Sequence, residues 1–253
     1  MQIIIKDIDI RVDDSVMRMY VAAPRPVEGK ASAPPKYPGI LLYSEIFQLT
    51  GPIRRSVERL AGHGFVVAAP EIYHRIERPG TVMPYDDCGR MWGNEGARKT
   101  AVAEFDADAR GTLDFLAAHP QVASGKLGVM GFCIGGHLAW RAALNQDVKA
   151  AVCCYPTGVH NGKLGRDADA GTLARLKEIK AEMLVVFGDN DPHVPSECRK
   201  ILTEALPRAD VKHTIRTVPG EHAFMRDEGN RFDPATSDMV WAEAIAMFQR
   251  IFS

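Results

Sequence analysis

The sequence predicts an α/β fold, a mostly parallel central sheet with helices on both faces and an N-terminal antiparallel hairpin. Three observations carry this. Short, continuous apolar runs recur from residue 39 onward, amphipathic stretches of helical period separate them, and the first 21 residues alternate apolar and polar positions instead.

The hairpin is read from Ile3, Ile5, Ile8 and Ile10 set among polar residues, then Val16-Met17-Arg18-Met19-Tyr20-Val21, with Asp13-Asp14-Ser15 as the turn. A segment rich in Pro and Ala follows at 24–38. It resembles an interdomain linker, but what precedes it is too short to be a domain, so the expectation is one domain over 1–253. The apolar runs are 39–43, 65–69, 127–130, 150–154, 183–187 and the more polar 212–217. Continuous runs of this length suit strands covered on both faces. Between them, 53–63, 99–118, 134–144, 173–180 and 196–205 have helical period, and 236–252 forms a last helix. The stretch 73–96, punctuated by Pro79-Gly80, Pro84, Gly89 and Gly93, has no clear period. It is expected to be a long active-site loop.

The 253 residues hold 31 basic and 32 acidic side chains, a formal charge of -1. That balance argues against a nucleic-acid or anionic-membrane partner, because either needs a concentrated basic surface. The opening Met1-Gln2-Ile3-Ile4-Ile5-Lys6-Asp7 lacks the features of a secretory leader, and no apolar run approaches membrane-spanning length. The expectation is a cytoplasmic protein. Five cysteines without a CxxC pair fit neither a disulfide framework nor a zinc site.

One cysteine stands apart. Gly131-Phe132-Cys133-Ile134-Gly135 joins the third apolar strand to a helix, which is the nucleophile-elbow pattern of α/β-hydrolases with Cys in place of Ser. Glycines two before and two after the nucleophile let neighbouring chain approach a sharp, strained turn. The helix N-terminus favours a thiolate, and the Ile134 amide is positioned to receive an oxyanion. Two strands later, 184–187 ends in Gly188-Asp189-Asn190-Asp191-Pro192-His193-Val194-Pro195. Asp189 and Asp191 compete as the orienting acid. Asp191 is preferred because Asp-x-x-Val-Pro lets it leave the turn just before the next helix. After the last strand comes Val218-Pro219-Gly220-Glu221-His222-Ala223-Phe224, where a general base belongs. Nucleophile, acid and histidine follow in α/β-hydrolase order.

These motifs, with Glu45-Ile46-Phe47 after the first parallel strand, resemble the dienelactone hydrolases (carboxymethylenebutenolidases) from about Gly39 to the C-terminus. The resemblance implies a Cys133–His222–Asp191 triad and a Glu45 that contacts the resting thiol. It also implies an Ile46 amide as second oxyanion donor, and Arg226 as the holder of a substrate carboxylate. The family's second arginine comes from the segment in which Arg75, Arg78 and Arg90 lie here; Tyr73, His74, Tyr85 and Trp92 are candidates to line the same pocket. Arg90 and Tyr85 are taken with Arg226 as the substrate-binding set. The implied reaction is hydrolysis of a small ester or lactone through a thioester, with no metal or organic cofactor. The alternatives are a thiol-dependent peptidase or acyltransferase on the same fold, or a non-catalytic binding or redox-sensing protein.

Overall fold

The computed structural model describes residues 1–26 and 35–253. The Pro/Ala-rich segment falls partly on 27–34, outside the described residues. Among the described residues, eight strands form one sheet in the order β1-β2-β4-β3-β5-β6-β7-β8. They are β1 (Ile3–Val12), β2 (Ser15–Pro24), β3 (Tyr37–Tyr43), β4 (Val66–Pro70), β5 (Val122–Phe132), β6 (Val148–Cys154), β7 (Glu182–Gly188) and β8 (His213–Val218). β1 and β2 form the antiparallel hairpin, β2 runs antiparallel to β4, and β3 through β8 are parallel to one another.

The helices are α1 (Gly51–Gly62), α2 (Asp87–Lys99), α3 (Val102–Ala118), α4 (Ile134–Ala142), α5 (Ser196–Arg208) and α6 (Pro234–Phe252). Successive residues of each strand serve opposite faces, so two cores result. Leu41 and Tyr43 pack with Phe105, Leu113, Trp140 and Leu202 of α3, α4 and α5. Ile40 and Leu42 pack with Ile53, Val57, Trp241 and Phe248 of α1 and α6. Cys153 and Cys154 are fully buried on opposite faces of β6, and burial pushes both thiols up from their ordinary pKa.

Three expectations need correction. The stretch 73–96 is not loop throughout, because α2 occupies its second half. Asp86 caps that helix by accepting from Gly89 N–H at 2.8 Å. Its glycines make one buried face on which α2 lies against its surroundings. A Cβ added at Gly89, Gly93 or Gly96 would meet Pro84 O at 1.9 Å, Ile46 O at 2.4 Å or the Tyr73 ring at 2.9 Å. Residues that suggest a loop are therefore a packing surface. The helix expected over 99–118 begins only at Val102, since Thr100 and Ala101 are extended between α2 and α3. Finally, the helix expected over 173–180 is a 3-10 turn at Leu173–Glu178. Leu176 alone is buried there, too little apolar surface to support an α-helix of that length.

Register brings the functional loops together. Tyr43 pairs with Gly131, Phe132 with Cys154, and Gly188 with Val218. The C-terminal ends of β3, β5, β6, β7 and β8 therefore share one edge, where parallel sheets place ligands.

Candidate active site

Cys133 follows β5 directly and caps α4 with φ 59° and ψ -120°, a left-handed value that costs a non-glycine residue strain. Gly131 and Gly135 make this turn possible. A Cβ at Gly131 would sit 1.9 Å from Gly135 O, and one at Gly135 would sit 2.2 Å from Ser44 O. Cys133 N–H is fixed to Cys154 O at 3.1 Å, and Cys133 O accepts from Gly136 N–H at 3.0 Å. The side chain lines a cleft of about 880 Å³ shared with Glu45, Tyr85, His222 and Arg226.

His222 and Asp191 are both buried. The imidazole Nδ1 lies 2.7 Å from Asp191 Oδ2, while Asp191 Oδ1 accepts from His193 N–H at 2.7 Å and Val194 N–H at 3.3 Å. Asp189 turns elsewhere and accepts from Gly220 N–H at 3.0 Å. Burial opposes charge on His222, but Cys133 and then Asp191 outweigh it and hold the imidazole up at about 10. Burial likewise opposes the Asp191 charge, yet the hydrogen bond to His222 keeps that carboxyl below its ordinary value. The His222 ring is also packed on two sides. Tyr155, itself at φ 38°, meets it edge-on at 5.2 Å, and His193 does so at 4.6 Å.

Glu45 is buried at the end of β3, and its Oε2 accepts no hydrogen bond among the described residues. Burial pushes its carboxyl up from the usual carboxylate range, and Arg226, 3.8 Å away, pulls it part of the way back. The Arg226 guanidinium lies 4.1 Å from the Tyr85 ring centre, a cation–π distance. The Tyr85 hydroxyl is 2.6 Å from Thr50 Oγ1, and burial followed by the Glu45 charge keeps it neutral by raising its pKa. Ile46 and Ile134 both line the cleft, and neither N–H donates to a protein acceptor among the described residues.

The remaining candidates divide. Arg90 reaches the cleft but is exposed and paired with Asp87 at 3.0 Å. Arg75 points away to Asp108, which His74 also contacts. Tyr73 is buried beneath Gly96, and Trp92 is exposed and donates to Glu77. Neither Arg78, exposed before α2, nor these aromatic residues line the cleft. His137 is buried in α4 between Thr157 O and Thr172 Oγ1. Sequence reasoning missed the segment 157–167, which supplies one cleft wall. Its Gly158, Gly162 and Gly165 were the available signal, each at positive φ.

With this geometry in view, the profile of the dienelactone hydrolase family matches residues 25–252. The chain belongs to the dienelactone hydrolase family. It is 38% identical over 242 residues to a Saccharomyces cerevisiae relative, covering 93% of this chain and 87% of that one. It is 33% identical over 201 residues to the carboxymethylenebutenolidase of Pseudomonas putida, covering 77% and 78%. A solved structure from Klebsiella pneumoniae superposes with a TM-score of 0.81 over 98% of this chain and 99% of that one, at 24% identity. That likeness confirms the α/β-hydrolase fold. The family assignment makes the chain an ester or lactone hydrolase. No helix among the described residues is long and apolar enough to cross a membrane.

Proposed function

We propose that this member of the family hydrolyses a small carboxylic ester or lactone through a thioester on Cys133, with His222 as acid and base and Asp191 as its orienter. The observation that carries the reading is the 2.7 Å contact between His222 Nδ1 and Asp191 Oδ2, beside a cysteine strained at φ 59° on the same cleft.

The Asp191 contact leaves Nε2 as the nitrogen free to serve the sulfur. An imidazolium there stabilises a thiolate, and the N-terminus of α4 adds to it. The thiolate attacks the carbonyl carbon, and the amides of Ile46 and Ile134 receive the oxyanion. Collapse breaks the C–O bond, and the departing alkoxide takes the proton from His222. The neutral imidazole then removes a proton from water, and the resulting hydroxide attacks the thioester. Thiolate leaves and the acid product is released. In a lactone the alkoxide stays tethered to the acyl group, and the steps are otherwise the same. Glu45 contacts the resting thiol, takes its proton when substrate arrives and returns it to the sulfur once the thioester is hydrolysed, since its own charge opposes a permanent thiolate. Arg226, already in the cleft on the face of Tyr85, is the holder of a substrate carboxylate.

The test is Cys133→Ala assayed on p-nitrophenyl acetate. The expected result is loss of turnover by roughly 10³-fold or more, as when a triad nucleophile is removed. Mass spectrometry of the native protein during turnover should find the acyl group on the Cys133 peptide. Undiminished hydrolysis by Cys133→Ala overturns the proposal.

A further inference from the structure

The cleft extends well beyond Arg226. At about 880 Å³ it lies near the top of the roughly 300–1,000 Å³ range of small-molecule sites, more than a compact lactone requires. One wall is α2. It begins beside Tyr85, which carries Arg226, and Arg98 lies about 17 Å further along its axis at 1.5 Å per residue.

The opposite wall is the segment 157–167, and its anchoring shows where it leads. Thr157 N–H donates to Cys133 O at 3.3 Å, so the wall starts at the nucleophile. It finishes on the α2–α3 junction. There Arg166 N–H donates to Thr100 O at 2.9 Å, and Asp167 Oδ2 accepts from Val102 N–H at 2.7 Å. Gly165 lies so close that a Cβ would sit 2.4 Å from Thr100 O. Cys133 therefore stands between two ends of one cleft.

The far end is lined by Arg98, Lys163, His160, Asn161 and Asn94. Its cations differ from the others in the cleft. Arg90, Arg226 and Arg231 are paired with Asp87, Glu45 and Glu221. Arg98 and Lys163 form no ion pair within 4.0 Å among the described residues. Of the carboxylates nearby, Asp167 lines the same end and accepts from the Val102 N–H, Asp169 accepts from the Gly171 N–H at 2.8 Å, and Glu95 pairs with Lys99 at 2.6 Å. Two cations outside any ion pair, beside two side-chain amides, suit a carboxylate.

We propose that this end is a second anion subsite, so that the substrate class is an ester or lactone bearing two carboxylates, one at Arg226 and one at Arg98 and Lys163. The inference rests on the reading of Cys133 as the reacting centre between them, but the binding it requires does not depend on hydrolysis. The test is calorimetric titration of the wild-type protein, at low ionic strength, with straight-chain dicarboxylates from succinate to sebacate and with monocarboxylates of equal length. The longer dicarboxylates should bind about tenfold tighter than their monocarboxylate counterparts, the worth of one further charge-assisted contact. Arg98→Gln/Lys163→Gln should remove that advantage while keeping the wild-type Tm and hydrolysis of p-nitrophenyl acetate. Equal affinity for both ligand series, absence of dicarboxylate binding, or an advantage retained by the double variant overturns the subsite. Retained ester hydrolysis by Cys133→Ala sinks the proposed chemistry instead, so the two failures are distinct.

Discussion

The Arg226 guanidinium stands 3.8 Å from Glu45 Oε2, and that buried oxygen accepts no hydrogen bond among the described residues. The pair is loose. The cation rests mainly on the face of Tyr85, and the Arg226 charge and the Tyr85 hydroxyl offset only part of the desolvation that burial imposes on the carboxylate. Such a site is destabilising by construction, in the way functional sites often are.

Glu45→Gln should therefore stabilise the protein at neutral pH. Burial raises the Glu45 carboxyl in the folded state. Between the ordinary carboxylate pKa and the raised one, the folded chain binds more protons than the unfolded chain, so stability falls as pH rises through that window. Above it the ionised carboxylate weighs fully against the fold. Calorimetry should give Glu45→Gln a Tm a few degrees above wild type at pH 7.5, with the gap closing toward pH 4. A gap independent of pH would refute the burial argument. Ester hydrolysis should fall in the same variant, because glutamine cannot take the thiol proton.

Arg226→Met should separate substrates by charge. The guanidinium presents donors that suit a carboxylate, and methionine preserves much of the packing on Tyr85 and Phe47. For an ester bearing a carboxylate, kcat/KM should fall about 10- to 100-fold, as for loss of a charge-assisted contact. Hydrolysis of p-nitrophenyl acetate should change little. An equal loss on both substrates would mean that Arg226 supports the fold of the cleft rather than recognition.

Much of this was legible in sequence because it follows from local rules. Continuous apolar runs revealed the parallel strands, and the spacing around Cys133 revealed its turn. What was lost depends on which surface a residue meets. Gly89, Gly93 and Gly96 have the composition of a loop, and only the proximity of Pro84 O, Ile46 O and Tyr73 turns them into a helix face. The same effect hid the fates of Tyr73, His74 and Arg75, which precede α2 and are directed beneath it or toward Asp108. Tyr155 gave no signal either, since its contact with His222 comes from a left-handed backbone after β6.

The charge on His222 should depend on Cys133. Burial opposes that charge, and the foremost influence holding the imidazole up at about 10 is the sulfur, ahead of Asp191. In Cys133→Ala the burial remains and the sulfur is gone. Histidine-selective NMR should then show His222 titrating about one unit lower or more, the usual scale for loss of an opposite charge at contact distance. Asp191→Asn should lower it as well and free the ring to reorient. An unchanged titration in Cys133→Ala would separate the two side chains electrostatically and remove the basis for a thiolate–imidazolium pair.

Gly93→Ala tests whether α2 holds in place the Ile46 amide proposed as an oxyanion donor. An added Cβ would lie 2.4 Å from Ile46 O and 3.0 Å from Ile46 C and Cβ. These contacts are to backbone as well as side chain, so no rotamer change relieves them, and either α2 or residues 45–47 must shift. Overpacking of this kind costs roughly 1–3 kcal/mol, read as a lower denaturation midpoint. The functional effect should exceed what stability explains. The Ile46 N–H belongs to the displaced residue, and a misplaced oxyanion donor costs about 10²-fold in kcat. The control is Gly62→Ala at the end of α1, where an added Cβ meets nothing within 4 Å and replacing glycine in a helix should not destabilise. If Gly93→Ala kept wild-type kcat while losing stability, α2 would be a structural cover and not a support for the reacting site.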